Sequence, residues 1–296
     1  MRSEGAEGRP LIAVTGAAGA LGARVVEALR SSGLRVRGLI HRAPVAGADE
    51  TVQGDLLDEP SLRALVDGAD GLVHLAARTH ARSPRAYERI NVGGTAALLR
   101  AAARGGVRSF VHVSTAAIDR SGGAYSRSKA DAEAAVAASG LPATVLRLPD
   151  VLGAGGREGL DRIVAAARAG RPMPLVGSGA VEVRPVHVDD VAAVFPRALE
   201  LARPGGHVYT LAGETTTLRR FAELANEAYG GRSRLVNIPV GLLELASLAA
   251  RVLPLPLYPD QLTRLRSPRP APSPEAWDEL GVVPRPLRDA LRSPAS

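Results

Sequence analysis

Cysteine is absent from the 296-residue chain, which excludes disulfides, thiolate metal sites and a cysteine nucleophile. No metal centre is expected, and a composition free of thiols suits the reducing cytoplasm, where we place the protein. Aromatic residues make up only 3% of the chain, so the stacking platforms that hold single-stranded nucleic acids are scarce. The formal charge of +7 is scattered rather than gathered in a patch, and no nucleic-acid partner is expected. Long apolar runs are missing as well. The most apolar late stretch, Pro239 to Tyr258, is interrupted by Glu244, Arg251, Pro254 and Pro256. It therefore reads as an amphipathic core helix over Gly241 to Val252 followed by a turn, not as a membrane insertion. Residues 1–10 lack the apolar centre of a signal peptide and are expected to form a disordered tail.

Lysine is the scarcest charged residue. Of the 37 basic residues only Lys129 is lysine, which leaves 36 arginines. In a chain so biased toward arginine, a retained lysine marks a place where a compact ammonium does what a planar guanidinium fork cannot.

What is present is a regular alternation. Leu11 to Thr15, Arg35 to Ile40, Thr51 to Gln53, Leu72 to Leu75, Ser109 to Ser114 and Ala143 to Leu148 read as strands separated by helical or turn segments. Gly33, Gly68, Gly105 and Gly140 stand where helices end. This order predicts an α/β fold built on a doubly wound parallel sheet covered on both faces. After Arg147 the alternation weakens. Residues 153–296 read as a smaller mixed α/β substrate-binding portion, interleaved with the nucleotide-binding domain of 11–152. It has helices at Val191 to Leu201 and Leu218 to Tyr229 and short strands at His207 to Leu211 and Arg234 to Ile238. A proline-rich crossing over Ser267 to Pro274 precedes a last helix near Pro274 to Leu280.

Thr15 to Gly22 reads TGAAGALG directly after the first strand and at the start of a helix. Gly16 permits the tight turn, Gly19 lets the backbone approach a pyrophosphate, and Gly22 lets the helix pack on the sheet; Ala20 and Leu21 lie in the amide-bearing start of that helix. This is a dinucleotide-binding (Rossmann-type) signature. At the end of the second strand, where an NAD site places an acidic residue, stand His41 and Arg42. No carboxylate is there to repel a 2′-phosphate and Arg42 can bind one, so NADP is favoured over NAD.

Tyr125-Ser-Arg-Ser-Lys129 follows Ser114 and Thr115. Four residues apart on a helix, Tyr125 and Lys129 share a face. The ammonium favours the phenolate, so Tyr125 can act as general acid toward a carbonyl or as base toward an alcohol. A hydroxyl from Thr115 or Ser114 can donate to the same substrate oxygen.

With these motifs the chain resembles the extended short-chain dehydrogenases/reductases and their NAD-dependent epimerase/dehydratase relatives. The likeness runs from Leu11 to about Leu291 and includes GDLLD from Gly54, HLAA from His74, NVGGT from Asn91, VSTAA from Val113, RLPDVLGAGG from Arg147 and RPVHVDDV from Arg184. The resemblance implies that Asp55 and Leu56 flank the adenine, that Leu75, Ala76 and Ala77 line the cofactor cleft with Leu148 and Val151, that Asn91 orders the active site, and that Lys129 also holds the nicotinamide ribose. It puts the catalytic hydroxyl on Thr115, and substrate contacts on Ser114, Asp150 and Arg184, the last a partner for a diphosphate. His187, Asp189 and Asp190 read instead as a strand end and a helix cap. HARSPRAYERINVGGT from His80 and AWDELGVVP from Ala276 are most similar to the branch acting on sugar nucleotides or lipid-linked sugars. Only nine residues separate Thr115 from Tyr125, fewer than is common there, and Ser121, Gly122 and Gly123 make the link flexible. The expected activity is NADPH-dependent reduction of a ketone on a sugar nucleotide or other small molecule. Redox-neutral NAD-dependent epimerisation is the alternative, and a non-catalytic dinucleotide sensor the reading from another class. The resemblance also implies a homodimer through the helices that carry Asn91 and Tyr125.

Overall fold

The computed structural model describes residues 8–119, 122–153, 159–242 and 270–293. Seven strands form one parallel sheet: β1 (Leu11–Thr15), β2 (Arg35–Ile40), β3 (Glu50–Gln53), β4 (Gly71–His74), β5 (Ser109–Thr115), β6 (Ala143–Leu148) and the later β11 (His207–Thr210). Their spatial order is β3-β2-β1-β4-β5-β6-β11. The chain winds outward in one direction from β1 and in the other from β4, which opens a crevice beyond the carboxyl ends of these two strands.

Strand alternation sorts the core. Ala13, Leu72 and Phe110 face one cover, made by α2 (Glu59–Val66), α4 (Thr95–Arg104) and α5 (Gly123–Ala138). Val14, Val73 and Val111 face the other, made by α1 (Ala20–Ser31), α7 (Val188–Ala193) and α8 (Phe195–Glu200). Both faces are apolar because a parallel sheet is covered twice. Residues beyond 152 thus supply an edge strand and two covering helices of the central layer.

The rest forms a smaller body around a separate core of Leu160, Met173, Leu175, Phe221, Ala222 and Leu287. It contains α6 (Gly159–Arg168), α9 (Leu218–Ala228) and three two-stranded pairs: β7 (Val151–Leu152) with β10 (Val186–His187), β8 (Met173–Val176) with β13 (Leu235–Ile238), and β9 (Glu182–Val183) with β12 (Thr216–Thr217).

Several boundaries differ from the sequence reading. The helix expected over Val191 to Leu201 is two helices meeting at Val194, because Pro196, at the start of α8, has no N–H to continue the first. The left-handed residue after α4 is Gly106 (φ 72°), one beyond Gly105. A helix at Ala276–Glu279 is present, and a further one, Leu287–Arg292, follows it. All but the first two residues of the helix expected at Gly241 to Val252 lie outside the described residues, as do residues 1–7 of the N-terminal tail and Ser267 to Arg269 of the proline-rich crossing. Among the described residues no helix is long and apolar enough to cross a membrane.

Candidate active site

The glycine turn is shaped by contacts a side chain would destroy. Gly16 has φ 74°, and a Cβ there would lie 2.7 Å from the Ala76 nitrogen and 2.9 Å from the Leu75 carbonyl carbon. A Cβ on Gly22 would lie 2.1 Å from the Gly16 oxygen, and one on Gly19 3.2 Å from it. The turn is therefore pressed against Leu75 and Ala76 at the end of β4. Helix α1 begins at Ala20 with no side-chain cap and no acidic residue in its first turn. Its leading amides, those of Ala20, Leu21 and Gly22, fit the pyrophosphate of a dinucleotide, which would complete the cap. At the end of β2, Arg42 is exposed and the His41 Nε2 lies 3.2 Å from an Asp55 carboxylate oxygen. Leu56 is buried, its Cβ within 3.1 Å of where a Cβ on Gly94 would be.

Across the crevice, α5 carries Tyr125 and Lys129 one turn apart, both buried. The Tyr125 ring packs edge-on against Tyr87 of α3 (Pro84–Tyr87), ring centres 5.8 Å apart. Ser126 donates to the Ala117 carbonyl at 2.5 Å, tying the first turn of α5 to the residues after Thr115. Short though the link is, it holds strand end and helix together. Thr115 is half-buried at the end of β5, its hydroxyl oxygen accepting from the Ala117 N–H at 3.1 Å. Ser114, on the opposite face of the same strand, has its hydroxyl buried.

Lys129 donates to the Val113 carbonyl at 2.7 Å. Burial pushes its pKa down from 10.5 to about 8, opposed by the nearby Glu133 carboxylate. Glu133 is in turn gripped by Arg147 through contacts of 2.6, 3.0 and 3.2 Å. With its pKa near 8, Lys129 is mostly the ammonium at neutral pH.

Asn91 sits in a π-helical segment, Glu88–Gly94, inserted between α3 and α4, a wide turn often found at functional sites. Its side-chain oxygen accepts from the Arg78 N–H at 2.7 Å, and its amide donates to the Arg78 carbonyl at 3.1 Å and to Ser128 at 2.9 Å. Ser128 donates to the Tyr125 carbonyl at 2.7 Å. One side chain thus joins the loop after β4 to the helix bearing Tyr125.

Sequence reasoning missed how this join continues inward. Thr95 donates to the Asn91 carbonyl at 2.5 Å, and His74 bridges Thr95 (3.0 Å) and Thr15 (2.7 Å). Because the single Thr95 hydrogen goes to Asn91, His74 must donate from Nε2 and accept at Nδ1 from Thr15. Burial and the Lys129 charge push its pKa down to about 3, which keeps this neutral tautomer. The chain of bonds runs from the residue before the glycine turn to helix α5. The motif HLAA displayed His74, but its partners lie 59 and 21 residues away.

On the far side of the crevice, Leu148 ends β6, half-buried Val151 starts β7, and the Asp150 carbonyl accepts from the Val186 N–H at 3.1 Å. Arg184 contacts Glu182 at 2.6 Å and the Pro270 carbonyl at 3.4 Å, while its buried Nε has no hydrogen-bond partner among the described residues. His187 ends β10 and caps α7, its Nδ1 accepting from the Asp189 N–H at 3.3 Å, the strand end and cap expected there; Asp190 is in addition paired with Arg285 at 2.8 Å, which the sequence reading did not foresee.

A sequence model of the NAD dependent epimerase/dehydratase family matches residues 12–212. The ceramide reductase of Caulobacter vibrioides is 36% identical over 192 residues, covering 63% of this chain and 60% of that protein, so the match spans about three fifths of the relative's length. A 4-hydroxy-2-methyl-3-oxo-4-farnesyl-3,4-dihydroquinoline-1-oxide ketoreductase from Stigmatella aurantiaca is 32% identical over 254 residues, covering 76% of this chain and 75% of that one. Among solved structures, gox2253 superposes with a TM-score of 0.77 at 27% identity over 96% of each chain.

Proposed function

The chain belongs to the NAD dependent epimerase/dehydratase family, whose members here are NAD(P)-dependent oxidoreductases and epimerases, and from that premise we propose that it is an NADPH-dependent ketoreductase. The observation that carries this reading is the placement of Tyr125, Lys129 and Thr115 around one end of β5, opposite a glycine turn shaped for a dinucleotide. A nicotinamide dinucleotide held at the glycine turn would supply the hydride. Tyr125 gives its phenolic proton to the substrate oxygen, Thr115 donates a hydrogen bond that orients that oxygen, and Lys129 stabilises the phenolate left behind. Two relatives bear reductase names, one for a ceramide and one for a farnesylated ketone, which supports reduction over redox-neutral epimerisation. NADPH is favoured because Arg42 is exposed just after β2, where a 2′-phosphate would be bound, and no carboxylate stands there in the sequence to repel it.

A diphosphate-bearing substrate rests on Arg184, and its pairing with Glu182 leaves less charge for that ligand. We therefore place a carbonyl compound without a diphosphate first and a sugar nucleotide second. The test is NADPH oxidation followed at its nicotinamide absorbance with a panel of ketones. Stoichiometric consumption, lost about 100-fold or more in Tyr125→Phe while cofactor still binds, is expected. Turnover of a sugar nucleotide without net cofactor consumption would defeat the reductase reading.

A further inference from the structure

The helix-facing side of β5 carries a polar group that the proposed chemistry does not use. His112 is 1% exposed, and among the described residues neither of its ring nitrogens has a hydrogen-bond partner. A neutral imidazole has one donor and one acceptor to satisfy, and leaving both unmet in a core is costly. Two residues on, and so on the same face of the strand, the buried Ser114 hydroxyl is also unpartnered. Between them the Val113 carbonyl receives the Lys129 ammonium, which has three hydrogens to place. On the neighbouring strand the His74 ring lies 5.3 Å from that of His112, its own nitrogens committed to Thr15 and Thr95. His112 and Ser114 thus flank, on one face of β5, the residue whose carbonyl holds the Lys129 ammonium, and buried polar groups left without a protein partner are where proteins hold internal water.

We propose that His112 and Ser114 form a buried water site on the helix-facing side of β5 that positions the Lys129 ammonium. His112 is thus a positioning residue: it acts on the proton-handling pair through Lys129, and its role in turnover rests on the ketoreductase reading above. Burial and the Lys129 charge keep His112 neutral, its pKa held well below 6.5, so it offers the site both a donor and an acceptor. The other groups facing Lys129 are Tyr125 and Glu133 on α5, His74 on β4 and, through Glu133, Arg147 on β6. The buried polar groups on the packed π-helical segment and α4 are the uncharged Asn91 and Thr95. Water held by His112 and Ser114 stabilises the charged form of Lys129 against the cost of burial.

The single lysine makes the test direct. In protein labelled with 13C at lysine Cε, one resonance reports the protonation of Lys129 without substrate or cofactor. The expected wild-type midpoint is about 8. In His112→Phe, which keeps the volume and removes both nitrogens, it moves down by about half a unit or more; in His112→Gln, which can still hydrogen-bond, it stays within about 0.3 unit. Ser114→Ala, a small change that keeps the fold if His112→Phe does not, gives a smaller shift of the same sign. A midpoint unmoved in Ser114→Ala and in any folded His112→Phe overturns the proposal, as does an equal shift in His112→Gln. The ketoreductase reading fails separately: if Tyr125→Phe leaves turnover intact while the lysine midpoint still depends on His112, the water site stands and the catalytic reading falls.

Discussion

Replacing Lys129 by methionine should make the protein more stable at neutral pH while abolishing its activity. Lys129 is 4% exposed and among the described residues makes one hydrogen bond, to the Val113 carbonyl. Its pKa falls from 10.5 in the unfolded chain to about 8 in the fold. Below pH 8 both states carry the charge and the folded state bears the full cost of burying it. Between about pH 8 and 10.5 the folded protein has released the proton and the unfolded chain has not, so the unfolded state binds more protons and stability rises with pH. At 1.36 kcal/mol per unit the cost below pH 8 is at most ~3 kcal/mol, and the hydrogen bond lost in the variant returns about 1–2 kcal/mol of it. Urea unfolding of wild type and Lys129→Met at half-unit steps from pH 7 to 10 isolates this term together with its coupling to Tyr125, because the amino terminus and the other tyrosines titrate alike in both. The difference in stability should move in favour of the wild type by about 2–3 kcal/mol across that range. A difference independent of pH would refute the account of Lys129 as a charge buried against its preference.

Other perturbations test the surroundings. Gly22→Ala forces a Cβ to 2.1 Å from the Gly16 oxygen and should weaken cofactor binding about tenfold or more and lower stability by about 1–3 kcal/mol; fluorescence titration and a thermal melt read the two. Arg42→Ser should reduce the ratio of kcat/KM for NADPH over NADH by about tenfold or more, and an unchanged ratio would remove Arg42 from the cofactor site. Arg285→Met leaves Asp190, 6% exposed, without its partner and should cost about 3–5 kcal/mol in urea unfolding.

Much of the fold is visible in periodicity because the sheet is parallel and doubly covered. Strand β1 is apolar on both faces over Leu11 to Val14, β2 alternates, with Arg35 and Arg37 on the face opposite Val36, and the limits of β1, β2 and β6 coincide with the patterns that suggested them. The helix Leu287–Arg292 escaped because it is one and a half turns long, enters through Pro286, and owes its place to Leu287, Ala290 and Leu291 fitting the smaller core. The π-helical segment has no residue signature beyond two glycines. Its effect, turning Asn91 toward both Arg78 and Ser128, exists only in three dimensions. Arg184 illustrates the opposite difficulty: the motif supplies the residue, and only the fold shows Glu182 beside it.

Strand β5 explains why adjacent residues in one motif serve different ends. Successive side chains leave a strand on opposite faces, so Ser114 and Thr115, interchangeable as candidate hydroxyls in the sequence, are separated by the sheet itself. Thr115 stands half-buried at the strand end, while Ser114 is enclosed with His112 beneath α5. Lys129 connects the two environments. It shares a helix face with Tyr125, and its ammonium reaches back to the Val113 carbonyl between His112 and Ser114. An arginine would need acceptors for a planar fork with five donors, whereas the buried position offers the Val113 carbonyl, flanked along the strand by His112 and Ser114. The physical demand for a compact charge beneath β5 accounts for a lysine at this one position in a chain that otherwise uses arginine.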